Sequence, residues 1–91
     1  MHFISTVAAA LIVAASFGAP PAMAQDCQSL WVERNTYYKQ AGYCFRTQRA
    51  IQYFGNEGCF ITNEAQIQFP PNIRARIRQI IQLERALGCP R

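Results

Sequence analysis

Five carboxylates, Asp26, Glu33, Glu57, Glu64 and Glu84, are the whole supply of acids for proton transfer in this 91-residue chain. Two carboxylates at a suitable separation can hydrolyse a glycoside. A small cell-wall hydrolase, or a regulator of one, working through loop carboxylates is therefore one reading. Other routes to catalysis are narrow. After residue 24 the chain has no histidine, one serine (Ser29) and one lysine (Lys39), which removes the usual base for a Ser or Cys nucleophile. Glu33 falls on the polar side of a helical pattern and Glu57 in a glycine-rich turn, and both read as solvated charges. No phosphate loop, calcium loop or dinucleotide fingerprint occurs. The favoured reading is a non-catalytic protein that needs no cofactor.

The thiols are Cys27, Cys44, Cys59 and Cys89, separated by 16, 14 and 29 residues. Zinc sites use closely paired ligands and often histidine, and this spacing supplies neither. Four cysteines in a short exported chain read instead as two disulfides.

Export is itself written at the start of the chain. An apolar run from Val7 to Phe17 is followed by Gly-Ala-Pro-Pro and then by Ala22-Met23-Ala24, a small-x-small cleavage pattern. The run is well short of the roughly 20 residues that span a bilayer. Residues 1–24 are expected to be a cleaved signal peptide and residues 25–91 the mature domain, periplasmic or secreted and without a transmembrane segment. A body of this size buries only about 60% of the surface that its unfolded chain exposes, so staples are expected. All charged residues lie after Ala24, and the net charge is +4. That balance favours anionic polymers and surfaces as partners. Export, and the lack of a recognisable reading module, argue against nucleic acid.

Glycine and proline divide the mature part into three helical segments, so the expected fold is all-α, a small three-helix domain stapled by two disulfides. The first helix is expected over about Ser29 to Ala41, capped by Asp26 or Ser29 and closed by Gly42. Thr47 caps a short second helix from Gln48 to Phe54. Pro71 opens a third that runs to Leu87, with Gly88 as its stop. An up-down-up arrangement would pair Cys27 with Cys59 and Cys44 with Cys89. The other two pairings remain open, and the long Phe60–Phe69 connection would allow the third helix to run the opposite way.

Each long helix carries one charge where none belongs. Leu30, Trp31, Tyr37, Tyr38 and Ala41 share an arc of about 120° on the first helix, with Arg34 at its middle. Ile73, Ile77, Ile80, Ile81, Leu83 and Leu87 share a face of the third, with Glu84 at its middle. An unpaired charge on an apolar face is costly. Arg34 and Glu84 are therefore expected to meet as a buried ion pair, with Asn35 beside them as a hydrogen-bond donor. The alternative for Arg34 is a grip on a ligand carboxylate or phosphate, for which its planar fork is suited. Arg74, Arg78 and Arg85 form a stripe at the edge of the third helix's apolar face, and Arg76 stands near the opposite edge. The stripe is a candidate anion-binding surface for lipid, lipopolysaccharide or wall polymer. Equally, arginines can lay their stems along a core helix and keep their heads in water.

The run "RNTYYKQAGYCF" followed by "IQYF" resembles the core of the YARHG domain family, small extracellular bacterial domains. Arg34-Asn35 resembles the family's Arg-Asn, Tyr38 and Gly42 match the outer letters of its name, and Tyr43 and Phe45 match the aromatics after the glycine. Tyr53-Phe54 resembles its Tyr-Phe pair and Glu84 its late glutamate. The inner Ala-Arg-His is replaced by Lys39-Gln40-Ala41, and a later Trp-Tyr pair is absent near Cys59-Phe60. Four cysteines are additional to the pattern. The resemblance implies an exported helical domain, in a Gram-negative envelope, and no chemistry resting on the family's histidine. The expected function is to bind a wall or outer-membrane component or a protein partner.

Overall fold

A computed structural model describes residues 26–90. The expected signal peptide, residues 1–24, lies outside the described residues, as does Arg91. Helix α1 spans Cys27–Gln40, α2 Gln48–Phe54 and α3 Pro71–Leu87, with a short 3-10 turn at Glu64–Gln66. The described residues thus form an all-helical domain with two disulfides, as expected.

Local chemistry accounts for the ends of these helices. Asp26 is the N-cap of α1: its Oδ1 accepts from the backbone N–H and the hydroxyl of Ser29, both at 2.8 Å. Thr47 caps α2 by accepting from the Ala50 N–H at 3.2 Å. Pro71 occupies the first turn of α3, where a missing N–H costs nothing. Gly88 closes α3 in the left-handed region at φ 69°, and the Cys89 N–H returns to the Glu84 carbonyl at 2.9 Å.

α1 packs along α3, with Leu30 and Ile80 the most completely buried side chains. A second cluster, Trp31, Phe45 and Ala50, is packed by Val32, Tyr38, Tyr43, Ile51 and Phe54 and ties α2 to the other face of α1. Between α2 and the 3-10 turn the chain doubles back on the segment after α1. Tyr43 and Ile61 form an isolated parallel bridge, and the Cys44 N–H donates to the Ile61 carbonyl at 2.8 Å. The Asn56 side chain completes this seam by accepting from the Phe45 N–H (2.8 Å) and donating to the Phe45 carbonyl (3.0 Å). Gly42 is required here twice over: its φ is +92°, and a Cβ on it would clash with the Phe60 ring.

The disulfide pairing differs from that expected. Cys27 joins Cys89, and Cys44 joins Cys59, in place of Cys27–Cys59 and Cys44–Cys89. The up-down-up premise fails because the Phe60–Phe69 connection turns α3 antiparallel to α1. Cys89, one residue past the Gly88 cap, therefore arrives at the first residue of α1. Helix α2, at seven residues against fourteen for α1, is too short to carry Cys59 back to that end. It leaves Cys59 beside Cys44, where the Tyr43–Ile61 bridge brings the two segments together.

In the chain-entropy account a disulfide stabilises more as it closes a longer loop. The sequence separations are 62 for Cys27–Cys89 and 15 for Cys44–Cys59. Chemical denaturation of the paired alanine variants is expected to show a loss of about 4 kcal/mol for the first bridge and about 3 kcal/mol for the second. Peptide mapping without reduction should recover these two linked pairs; a Cys27–Cys59 peptide would overturn the assignment.

Candidate functional site

Arg34 and Glu84 meet as their positions require. Arg34 Nε donates to Glu84 Oε1 at 2.9 Å and Nη2 to Oε2 at 3.1 Å, a bidentate pair between α1 and α3. The Glu84 side chain is 6% exposed and that of Arg34 23%. Burial is thus lopsided: the carboxylate is committed to the interface while the guanidinium reaches its surface. Asn35 supports the backbone, donating to the Trp31 carbonyl at 2.9 Å.

The exposed side of Arg34 looks onto a cleft. One hollow, of about 190 Å³, is lined by Arg34, Tyr38, Glu64, Ile81 and Glu84. A second, of about 180 Å³, shares Arg34, Tyr38 and Glu64 and adds Asn35, Tyr43, Phe45, Arg46, Thr47 and Ala50. Arg34 and Tyr38, four residues apart, are neighbours on one face of α1. The 3-10 turn supplies Glu64, whose Oε2 accepts from the Tyr38 hydroxyl at 2.8 Å. Half-burial, reinforced by this bond to a carboxylate, pushes the Tyr38 phenol up to about 12. A phenol shifted this way is a hydrogen-bond donor throughout the physiological range and is not activated as a nucleophile.

The other candidate residues divide cleanly. Arg74, Arg78 and Arg85 are all exposed on α3. Arg74 Nη2 donates to the Phe69 carbonyl at 3.2 Å, and none of the three forms an ion pair among the described residues. Arg78 and Arg85 stand three before and four after Ile81, so they share the helix face of the residue that walls the first hollow. Arg46 donates to the Thr62 carbonyl at 3.0 Å. Arg49 lies over the Trp31 ring, 3.8 Å from its centroid, and donates to Gln28.

Glu33 departs from its expected role as a solvated charge. It forms a second bidentate pair across the α1–α3 interface, with Arg76 Nε and Nη2 each at 2.7 Å, and accepts from the Tyr37 hydroxyl at 2.8 Å. The Arg76 hydrogen bonds hold the Glu33 carboxyl below its ordinary range. The position of Arg76 across the face from Arg74, Arg78 and Arg85 was the available signal for this pair. It becomes informative only once α3 is known to run antiparallel to α1. Glu64 and Arg46 carried no helical pattern, and no sequence signal pointed to their place in the cleft.

A family model for the YARHG domain matches residues 6–85, most of the chain. The protein therefore belongs to the YARHG domain family, whose domain is of extracellular type; two disulfides fit a non-cytoplasmic location. No curated protein and no solved structure matches the chain significantly. Six of the residues through which the sequence resembles the family, Arg34, Asn35, Tyr38, Tyr43, Phe45 and Glu84, line the cleft, while Gly42, Tyr53 and Phe54 do not. The departures point elsewhere. Lys39 donates to the Gly55 carbonyl, and Gln40 and Ala41 line a different hollow with Tyr37 and Ile73.

Two outcomes are expected. In a double-mutant cycle, Glu84→Gln leaves Arg34 unpaired and costs about 3 kcal/mol, while Arg34→Met with Glu84→Gln costs less than the sum of the single changes; strict additivity would rule the pair out as a coupled unit. Folding raises the Tyr38 phenol, so its contribution to stability is complete below the unfolded value near 10 and is lost as the pH climbs toward 12. Absorbance titration should find a late-ionising tyrosine that disappears in Tyr38→Phe.

Proposed function

We propose that this protein is a non-catalytic exported domain of the cell envelope, set in the Gram-negative periplasm, that binds an anionic envelope polymer along Arg74, Arg78 and Arg85. The observation that carries this reading is the contrast among its arginines. Arg34 and Arg76 are committed to carboxylates, Arg46 to a carbonyl and Arg49 to Trp31 and Gln28. Arg78 and Arg85 have no such partner among the described residues, and with Arg74 they leave three positive charges in a row on one exposed helix face. A row of this kind attracts polyanions at long range and loses that attraction as salt shortens the Debye length.

The state of the carboxylates supports binding over catalysis. Four of the five carboxylates are engaged: Asp26 caps a helix, Glu33 and Glu84 each hold an arginine, and Glu64 accepts from Tyr38, while Glu57 is exposed. All four cysteines are bridged. Among the described residues no helix is long and apolar enough to cross a membrane, and no group of His, Cys, Asp and Glu is placed to hold a metal ion.

The test is retention of the oxidised protein on purified peptidoglycan and on lipopolysaccharide, from about 50 to about 500 mM salt. Retention is expected to fall steeply with salt and to drop about tenfold or more in Arg78→Glu/Arg85→Glu. Release of soluble product abolished by a single Glu substitution would favour the hydrolase reading instead. Absence of retention on either polymer would leave a protein partner.

A further inference from the structure

The cleft beside the arginine row holds two opposite charges that are not closed on each other. Arg34 and Glu64 line both hollows, yet the ion pairs among the described residues are Arg34–Glu84 and Arg76–Glu33. Each is instead fixed from behind. Glu84 holds Arg34 by Nε and one Nη2 hydrogen, which leaves three of its five donors unspent on that carboxylate. Tyr38 holds Glu64 by Oε2, which leaves Oε1 without a donor among the described side-chain hydrogen bonds. Tyr38 lines both hollows with these two charges, its hydroxyl donating to Glu64.

We infer that this cleft binds a short zwitterionic peptide, about two small residues long, with its carboxylate on Arg34 and its ammonium on Glu64. Both charged ends gain charge-assisted hydrogen bonds, worth more than neutral ones, from groups already held in position. Oriented, pre-paired side chains lose little further freedom on binding. Size sets the length. Hollows of about 190 and 180 Å³ fall below the roughly 300–1,000 Å³ of a drug-sized site and suit one small residue each. Ile81 in the first hollow, and Tyr43, Phe45 and Ala50 in the second, offer apolar walls to short side chains. Neutrality follows from the lining. Taken together, the two hollows set Arg34 and Arg46 against Glu64 and Glu84, so a ligand with one charge of each sign matches the cleft better than an anion. This site is distinct from the arginine row and does not depend on polymer binding there.

The test uses the oxidised, isotope-labelled protein and three probes near neutral pH in low salt: Ala-Ala, its N-acetylated form and its C-terminal amide. Amide shifts at Arg34, Tyr38 and Glu64 are expected to saturate with Ala-Ala. Each capped peptide should bind at least about tenfold more weakly, the scale of one lost charge-assisted contact. In Glu64→Gln, an exposed position where folding is not at stake, the preference for a free ammonium should vanish while that for a free carboxylate persists. Equal binding of a capped peptide, shifts that map away from the cleft, or no saturable shift with any probe would each overturn the assignment.

Discussion

The ion pair between Arg34 and Glu84 is the constraint around which this domain is arranged. Each charge sits where the two long helices pack together, so neither helix can bury that side without answering the charge. A single geometry satisfies both: α1 against α3 with the guanidinium and carboxylate side by side. Such a pair is weak evidence for net stability, because desolvation offsets much of the attraction. Its effect is on register. Sliding α3 by one turn would bury Glu84 without Arg34, leaving a carboxylate unpaired in the interface. The Glu33–Arg76 pair, made by the neighbouring residue of α1 about two turns back along α3, adds a second constraint on the same register.

The disulfides act on a different weakness. A described body this short has a core of few residues: Leu30, Ile77 and Ile80 between the long helices, and Trp31, Phe45 and Ala50 beneath α2. The two patches are bridged separately. Cys27–Cys89 clamps the open end of the α1–α3 hairpin, where the helix termini would otherwise fray. Cys44–Cys59 pins the doubled-back segment on which the Gly42–Phe60 contact and the Tyr43–Ile61 bridge depend. That segment leads to the turn carrying Glu64, so the second bridge also steadies one wall of the cleft.

Pairing also explains why the cleft is polar yet open. Arg34 is oriented by a carboxylate it shares with the core, and Glu64 by a phenol it shares with α1. Neither needs the other to be satisfied, so the space between them remains free for a third group.

Much was legible in the chain itself because it depends on neighbours in sequence. Asp26, Thr47 and Gly88 mark helix ends through bonds spanning three to five residues, Pro71 marks one through its missing N–H, and the periodicity of α3 identified Glu84 as a misplaced charge that Arg34 had to answer. Fold class, the need for two disulfides and the family followed from the same local patterns. Direction was not legible. Whether α3 returns parallel or antiparallel depends on the Phe60–Phe69 connection, which carries no periodic signal, and on that single choice rest the disulfide pairing, the Glu33–Arg76 pair and the position of Glu64. The sequence by itself determined which residues had to be buried, capped or bridged. Apart from the Arg34–Glu84 pair, only the tertiary structure decided which partner each would take, because the partners are chosen by the packing of whole helices.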